Sequence, residues 1–246
     1  MTDQISPSLL EAWNTYGRYL AYALMGSGLL ILIGHYLKLL TTSDYKSRYD
    51  YINMHEINLL WYGFLLILIG GTLYANTFQE NLIWMWFFVW VFVSLMSAMI
   101  IGVIIQNVLK FYYPFFIEKR LRKLRFTPRI SPDGRKMKLL SEEEEDVYLD
   151  EGMQAEENAF SVDYDVWIDE LSGYTKIEKY NGRLHALQCS ECNYQTLRVN
   201  KEEVIQESTL EEEGELLKHY TCGYCGHKER KSFSINKIKP AAEAAE

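Results

Sequence analysis

The sequence has few cysteines and none of the common signatures of a catalytic site. Its four cysteines all lie after residue 188, and only five prolines and five histidines occur in 246 residues. It has no glycine-rich phosphate loop, no serine nucleophile elbow and no metalloprotease helix motif. We therefore predict a protein that is not an enzyme and has no catalytic or organic cofactor-binding residues.

Charge is missing from three long stretches of the first half. Residues 57–74 and 82–109 contain no charged side chain, and His35 is the only strongly polar residue in 19–37. About 20 apolar residues are enough for a helix to cross a bilayer. These stretches predict three transmembrane helices, and the 28 residues of the third allow it to tilt or to extend beyond the hydrocarbon.

The segment before the first span does not have the pattern of a cleaved signal peptide. Asp3 and Glu11 precede the apolar stretch, and no small-residue cleavage site follows it. Pro7 suits the first turn of a helix, and Ser8 with Glu11 has capping-box spacing. We expect a short interfacial helix over residues 6–16.

Lysine and arginine are absent from one loop and enriched in the segments that should face the other side. The loop 75–81 has neither residue, whereas Lys46 and Arg48 lie in the loop 41–56 and seven basic residues follow the third span between 110 and 129. The positive-inside rule places the N-terminus outside and the C-terminal half in the cytoplasm. Pro114 predicts an interruption before a basic helix over 115–124, which could anchor on anionic headgroups generally or hold a specific lipid.

The C-terminal half lacks the positive charge of a nucleic-acid-binding protein. From Arg129 onwards, 15 lysines and arginines stand against 26 aspartates and glutamates, a net charge of −11. Such a segment repels phosphate backbones, which excludes a nucleic-acid partner. Ser141 precedes an acidic run that predicts a solvated, capped helix, with a divalent-cation site as the alternative.

The four cysteines form two pairs with metal-binding spacing. Cys189 and Cys192 make one C-x2-C pair, and Cys222 and Cys225 make the other. Four thiolates close a tetrahedral zinc shell, so we predict one structural Zn²⁺ in a mainly-β ribbon. Two disulfides, free thiols, or substitution by His219 or His227 are the alternatives, and a cytoplasmic location disfavours the disulfides.

Residues 128–236 resemble the C-terminal region of bacterial TPM-domain membrane proteins. The resemblance rests on the acidic run that leads to Ser161-Val162-Asp163-Tyr164-Asp165-Val166-Trp167, and on the cysteine pattern after it. It implies two successive cytoplasmic zinc ribbons after the spans and a location in the bacterial inner membrane. No counterpart of the TPM domain precedes the spans, so no activity of that domain is carried over.

The sequence departs from that pattern at the first ribbon. Asp169 and Ser172 stand where the family has the two cysteines of a knuckle, and the upstream knuckle near 130–136 is also missing. We therefore expect the first ribbon to be metal-free. The residues expected to hold it by packing are Val166, Trp167, Ile168, Ile177 and Tyr180.

The predicted fold is a membrane protein with three transmembrane α-helices followed by a small mainly-β zinc-ribbon cytoplasmic tail. The predicted domains are a transmembrane domain (1–116), a basic juxtamembrane linker (117–136), an acidic helix with the degenerate ribbon (137–183), the zinc ribbon (184–238) and a disordered tail (239–246).

We expect this protein to act as an interaction or assembly module, or as an accessory subunit of a larger inner-membrane complex. Its expected partners are the lipid bilayer and other membrane-protein subunits, and a small-molecule substrate is not favoured. Ser94, Ala98 and Gly102 form a small-residue ridge that suits either a partner helix or the protein's own helices. The alternatives are a redox or proton-transfer subunit that uses His35, His55 and Glu56, and a transporter or channel component.

Overall fold

The chain folds into two compact units that divide after Thr127. A computed structural model describes residues 5–78, 80 and 83–238, and the tail predicted over 239–246 lies outside the described residues. The first unit is helical and the second contains two small β-sheets.

Three helical segments of the first unit are long and apolar enough to cross a membrane. Helix α1 spans Pro7–Thr41, α2 spans Tyr45–Ala75, and α3 spans Trp84–Asn107. After α3 the chain forms a π-helical segment, Val108–Tyr112, and continues directly into α4, Tyr113–Arg125. This arrangement is compatible with a membrane-embedded protein, as the uncharged stretches predicted.

The expected interfacial helix is instead the beginning of α1. Ser6 is the N-cap and makes no side-chain cap bond, so the capping box expected from Ser8 and Glu11 does not form. The first turns are held against the end of α2, because Trp13 Nε1 donates to the Asn76 carbonyl at 3.0 Å. Arg18 Nη2 likewise donates to the Thr77 carbonyl at 3.3 Å. These bonds favour one continuous helix over a separate surface helix.

Helices α1 and α2 approach each other closely through glycines. A Cβ atom built on Gly28 would lie 2.6 Å from the Gly63 carbonyl oxygen, and one built on Gly70 would lie 2.9 Å from the Ala21 carbonyl oxygen. Gly28, Gly63 and Gly70 are buried. Small residues allow this backbone contact, and dispersion between closely packed helices stabilises membrane bundles.

The small-residue ridge of α3 faces the protein's own second helix. Asn76 Nδ2 donates to Ser94 Oγ at 2.7 Å, and a Cβ on Gly102 would lie 3.4 Å from Leu68 Cδ2. Gly102 is the buried residue of α3. The ridge is therefore used within the chain, while most of the remaining apolar surface of α3 is exposed.

The irregularity of the third helical segment precedes Pro114 and does not break the helix. Pro114 lies in the first turn of α4, where its missing N–H costs no intrahelical bond. The π-helical segment immediately before it accommodates the altered hydrogen bonding of the backbone. Ile117 and Leu121 of α4 pack with Ile52 of α2. Much of the predicted linker is thus a helix packed on the first unit.

The second unit contains two antiparallel three-stranded sheets. The first sheet has the order β1-β2-β3 and the second the order β4-β5-β6. The strands are β1 (Lys138–Leu139), β2 (Val162–Ile168), β3 (Thr175–Asn181), β4 (Leu197–Gln206), β5 (Gly214–Cys222) and β6 (Lys228–Ile235). Between β1 and β2 lie two short helices, α5 (Glu142–Glu145) and α6 (Glu151–Asn158).

Packing holds the first sheet together only in part. Val166, Trp167 and Tyr180 are buried as expected, whereas Ile168 is partly buried and Ile177 is 38% exposed. The Arg129 guanidinium lies 4.7 Å from the centre of the Trp167 ring. Trp167 is thus covered within its own unit, and this tryptophan does not offer an apolar docking face.

A buried ion pair adds to the packing that stabilises the first sheet. Arg129 donates to both carboxylate oxygens of Glu178, at 2.9 and 2.6 Å, and also to Tyr180 Oη. Burial alone would raise the pKa of Glu178, but bonds from Arg129, Lys176 and Tyr180 lower it below its ordinary value. The carboxylate is therefore satisfied, as a buried charge must be.

The acidic helix is not simply solvated, because Glu156 joins the two sheets. This side chain is fully buried and accepts hydrogen bonds from Tyr164 Oη, Lys179 Nζ and the Gln195 backbone N–H. Gly152 of the same helix lies against the Tyr194 ring with no room for a Cβ atom. Residues 150–158 thus connect the first sheet to the loop that carries the first cysteine pair.

Candidate metal centre

The two cysteine pairs come from loops at one end of the second sheet. Cys189 and Cys192 lie in the loop before β4, Cys222 ends β5, and Cys225 lies in the turn between β5 and β6. Leu187 and Leu197 exchange backbone hydrogen bonds of 2.9 and 3.0 Å, which closes the first loop onto the start of β4. β4 and β5 pair Leu197 with Cys222. The strand pairing therefore brings the two loops together.

The four sulfurs have the separation that a tetrahedral metal requires. The ligand atoms all lie within 4.8 Å of one another, and Cys189 Sγ–Cys225 Sγ and Cys192 Sγ–Cys222 Sγ are both 3.7 Å. Zinc–sulfur bonds of about 2.3 Å at tetrahedral angles put two sulfurs about 3.8 Å apart. A disulfide needs about 2.05 Å, and all four cysteines are free. The cluster could therefore hold a metal ion.

Backbone hydrogen bonds give both loops the same shape. Cys189 N donates to the Tyr194 carbonyl at 2.9 Å, and Cys222 N donates to the His227 carbonyl at 2.8 Å. The residue after each second cysteine, Asn193 or Gly226, has a positive φ of 64° or 74°. This backbone turns each pair so that both sulfurs face one point.

The surroundings of Cys222 favour its thiolate form. Burial works to raise the pKa of this thiol, but hydrogen bonds from the Thr196 hydroxyl and from backbone N–H groups lower it to about 6. Burial raises the pKa of Cys192 to about 12. The thiolate is the form that binds metal, and Cys222 ionises more readily than Cys192.

The two neighbouring histidines do not join the cluster. His219 Nε2 lies 3.4 Å from a Glu203 carboxylate oxygen on β4, and His227 Nε2 lies 3.4 Å from Ser190 Oγ. The group of potential ligands contains the four cysteines and neither histidine. The cysteine spacing therefore predicted the same four residues that the structure brings together.

Comparisons with protein-family models, with curated proteins and with solved structures found no match to this chain. The resemblance to the TPM-domain proteins stays a prediction.

A loop of the first sheet repeats the cysteine-loop shape with other side chains. Asp169 N donates to the Tyr174 carbonyl, and Gly173 N donates to the Asp169 carbonyl, both at 2.8 Å. In the second sheet Cys189 N and Asn193 N make the same two bonds. Asp169 thus occupies the position of a first cysteine, and Gly173, with φ 71°, the position of Asn193.

A guanidinium provides the cation at this cysteine-free loop. Arg135 Nε donates to the two Asp169 carboxylate oxygens at 3.3 and 3.0 Å. Hydrogen bonds from Arg135 first, and then from the Ser172 and Ser131 hydroxyls, hold the pKa of Asp169 well below its usual range. The loop is therefore closed by an ion pair, which the absence of cysteines from this segment did not reveal.

A second group of potential ligands contains three glutamates. Glu142, Glu145 and Glu157 place carboxylate oxygens within 4.8 Å of one another, but exposed acidic groups of this kind are common without an ion. Glu145 is buried and accepts a hydrogen bond from the Val166 N–H. Burial is the main reason that the pKa of Glu145 is raised to about 7, despite that hydrogen bond. The negative charges of Glu157, Glu142 and Asp165 raise it further.

The raised pKa of Glu145 predicts that the stability of the first sheet depends on pH. A carboxyl group whose pKa is raised in the folded state stabilises the fold when the pH is below the ordinary pKa, here near 4.5. This stabilisation is lost as the pH rises through the folded-state pKa of about 7. Glu145→Gln should therefore stabilise the first sheet at pH 8 relative to the unsubstituted chain and have little effect at pH 5. Urea unfolding of the second unit at both pH values measures this difference in stability. Glu143→Gln, outside the cluster, should change neither value, and an equal shift there would contradict the prediction.

The titratable residues predicted near the membrane are only partly brought together. His35 Nε2 lies 3.5 Å from a Glu56 oxygen, and His35 Nδ1 lies 3.3 Å from Tyr51 Oη. Glu56 also accepts hydrogen bonds from Tyr113 Oη, at 2.6 Å, and from Arg120. His55 is exposed and contacts the Tyr51 ring. The sequence pointed to His35 and Glu56 but gave no sign that α4 supplies their partners.

Proposed function

We propose that this protein is a non-catalytic membrane-anchored interaction module whose tail is organised by one structural zinc ion. The observation that carries the proposal is the group of four sulfurs, whose spacing fits one tetrahedral ion with no remaining coordination position. A closed shell leaves no site for a water or substrate ligand, so the metal would stabilise a fold and not act as a Lewis acid. The second sheet with its two loops would then be a zinc ribbon.

The size and exposure of the second sheet support a structural role for the metal. Strand β4 is exposed along its length after Leu197, so this sheet buries little apolar surface beside the cysteines. Small units of this kind usually need a metal or another crosslink to fold. Zn²⁺ fits the all-thiolate ligand set better than Mg²⁺ or Ca²⁺, which prefer oxygen.

Charge and exposed apolar residues support a protein partner for the tail. The net charge of −11 after residue 128 disfavours nucleic acid. Val204 and Ile205 on the edge strand β4 are 53% and 55% exposed, and Phe233 on β6 is 42% exposed. An exposed strand edge can pair with another chain. We infer that a membrane-complex subunit with a complementary basic and apolar surface docks here.

The distribution of lysine and arginine supports a cytoplasmic tail. The loop between α2 and α3 has no basic residue from 75 to 81, whereas α4 carries Lys119, Arg120, Arg122, Lys123 and Arg125. The positive-inside rule then puts α4 and the second unit in the cytoplasm, with the N-terminus outside. A reducing cytoplasm keeps thiols available for zinc, and we propose the bacterial inner membrane as the location.

A redox or proton-transfer role is less well supported by the cluster around Glu56. A haem ligand or quinone site would need an available histidine nitrogen, but both ring nitrogens of His35 contact other side chains of the cluster. Glu56 is also fully engaged by Tyr113 and Arg120. These contacts favour a structural connection between α1, α2 and α4.

Purification in mild detergent followed by mass spectrometry tests the docking role. We expect the unsubstituted chain to retain a partner subunit and Cys222→Ser to lose it, because the second sheet should unfold. Ile205→Lys keeps all four cysteines and should also release the partner by placing a charge on the exposed edge. His219→Ala, which lies beside the cluster but outside it, is the matched control. If both test variants keep the partner at the normal stoichiometry, the tail is not the docking surface.

A further inference from the structure

A cavity with basic walls lies in the first unit where α1, α2 and α4 meet. It has a volume of about 560 Å³, and its lining includes Arg48, Arg120 and Lys123. Leucine and isoleucine side chains form most of the remaining wall, and Tyr36 and Tyr45 add two hydroxyl groups. The lining residues include three cations and no acidic residue, so the cavity is both apolar and positively charged.

Two of these cations are fixed in position by the protein. Arg48 donates from Nε and Nη2 to the Thr42 carbonyl, which holds its guanidinium beside the turn between α1 and α2. Arg120 is bound to Glu56, whose carboxylate is 1% exposed, while the Arg120 side chain itself is 41% exposed. The arginine is therefore anchored at one side and accessible at the other. Such fixed groups lower the entropic cost of binding an anion.

The third cation has no anionic partner. Lys123 lies one turn beyond Arg120 on α4, is exposed, and forms no ion pair with any of the described residues. Arg120 is partly neutralised by Glu56, whereas Arg48 is bound to a carbonyl and keeps its full charge. The cavity thus has a net positive charge that the protein itself does not balance.

We propose that this cavity binds the headgroup phosphate of one anionic phospholipid, with an acyl chain against its apolar wall. The arginines provide the planar donors that suit phosphate oxygens, and the lysine adds a mobile charge. The cavity lies at the end of the apolar stretches of α1 and α2, which is the level of lipid headgroups. Basic cavities between transmembrane helices are a known form of anionic-lipid site. The proposal goes beyond the docking function and does not depend on the metal.

A fixed site and a general electrostatic attraction make different predictions for α4. A general attraction depends on the total charge, so loss of any basic residue of α4 should have the same effect. A fixed site depends on the residues that line it. Lys119 provides the matched control, because it is an exposed lysine of the same helix that lies outside the cavity.

Native mass spectrometry of the full-length protein from nanodiscs distinguishes the two. The nanodiscs contain phosphatidylglycerol and phosphatidylcholine with identical acyl chains. We expect one phosphatidylglycerol to be retained per chain in preference to phosphatidylcholine. Lys123→Gln should weaken this retention about 5-fold, because one direct contact with the phosphate is lost, and Arg48→Gln combined with it should weaken it further. Lys119→Gln should leave it unchanged.

Three results would overturn the proposal. Equal losses for Lys119→Gln and Lys123→Gln would show a general attraction, and equal retention of the two lipids would show that the phosphate charge is not recognised. Displacement of the lipid by soluble glycerol phosphate at the same concentration would show that the ligand is a free phosphate. Circular dichroism of each variant verifies that the helices remain folded, as expected for substitutions of exposed or half-buried side chains.

Discussion

Cys189→Ser is expected to remove the metal and unfold the second sheet while leaving the three apolar helices in the membrane. Cys189 is fully buried, and its sulfur lies 3.7 Å from that of Cys225. Binding of structural zinc provides on the order of 10 kcal/mol, which exceeds the net stability of a unit of this size, roughly 3–8 kcal/mol. Loss of one ligand should therefore leave no stable fold for β4, β5 and β6.

Elemental analysis and hydrogen exchange measure the two parts of this result. The unsubstituted protein should contain one zinc per chain, and Cys189→Ser should contain none. Amides of β5 should lose their protection in the variant, whereas amides of α1 and α2 should keep it, because membrane insertion depends on hydropathy. His219→Ala should retain both the zinc and the protection. Two zinc ions per chain, or a folded second sheet without metal, would contradict the assignment.

Gly28→Val is expected to separate α1 from α2. A Cβ on Gly28 would lie 2.6 Å from the Gly63 carbonyl oxygen and 2.8 Å from Ile67 Cγ1. A backbone oxygen cannot move as a side chain can, so the two helices must shift apart, at a cost of about 3 kcal/mol, the upper end of the usual range for overpacking. The interface would also lose contacts that close approach provides.

Gly26 provides a control on the same helix. A Cβ on Gly26 would meet nothing within 4 Å, so Gly26→Val changes helix propensity and side-chain size without a clash. Thermal unfolding in detergent, followed by tryptophan fluorescence, should show a large loss of stability for Gly28→Val and a small change for Gly26→Val. Equal stabilities of the two variants would mean that the close approach of Gly28 and Gly63 is not important for the bundle.

The parts of the fold that sequence predicted are those with a strong local pattern. The uncharged stretches indicated the three long helices, and the C-x2-C spacing indicated the four cysteines that the structure brings together. The interface of α1 and α2 was not found, because the sequence does not distinguish the buried Gly28 from Gly26 or Gly34, which have open space beside them.

The contacts that sequence missed depend on residues far apart in the chain. Glu145 and Glu156 belong to an acidic run that predicted a solvated helix, and only the position of β2 and of the loop at Gln195 shows that both are buried. The ion pair of Arg129 with Glu178 joins a residue before β1 to a residue of β3 that lies 49 positions later. Local periodicity contains no information about such partners.

The π-helical segment at Val108–Tyr112 determines which side of α4 meets α2. An α-helix turns about 100° per residue, and a π-turn holds roughly one residue more than an α-turn. Helix α4 is therefore rotated by about 100° relative to a regular continuation of α3. Tyr113 and Arg120 reach Glu56 in this setting. If one residue were deleted from Val108–Tyr112, α4 would still form a helix, but its polar residues would no longer face Glu56 of α2.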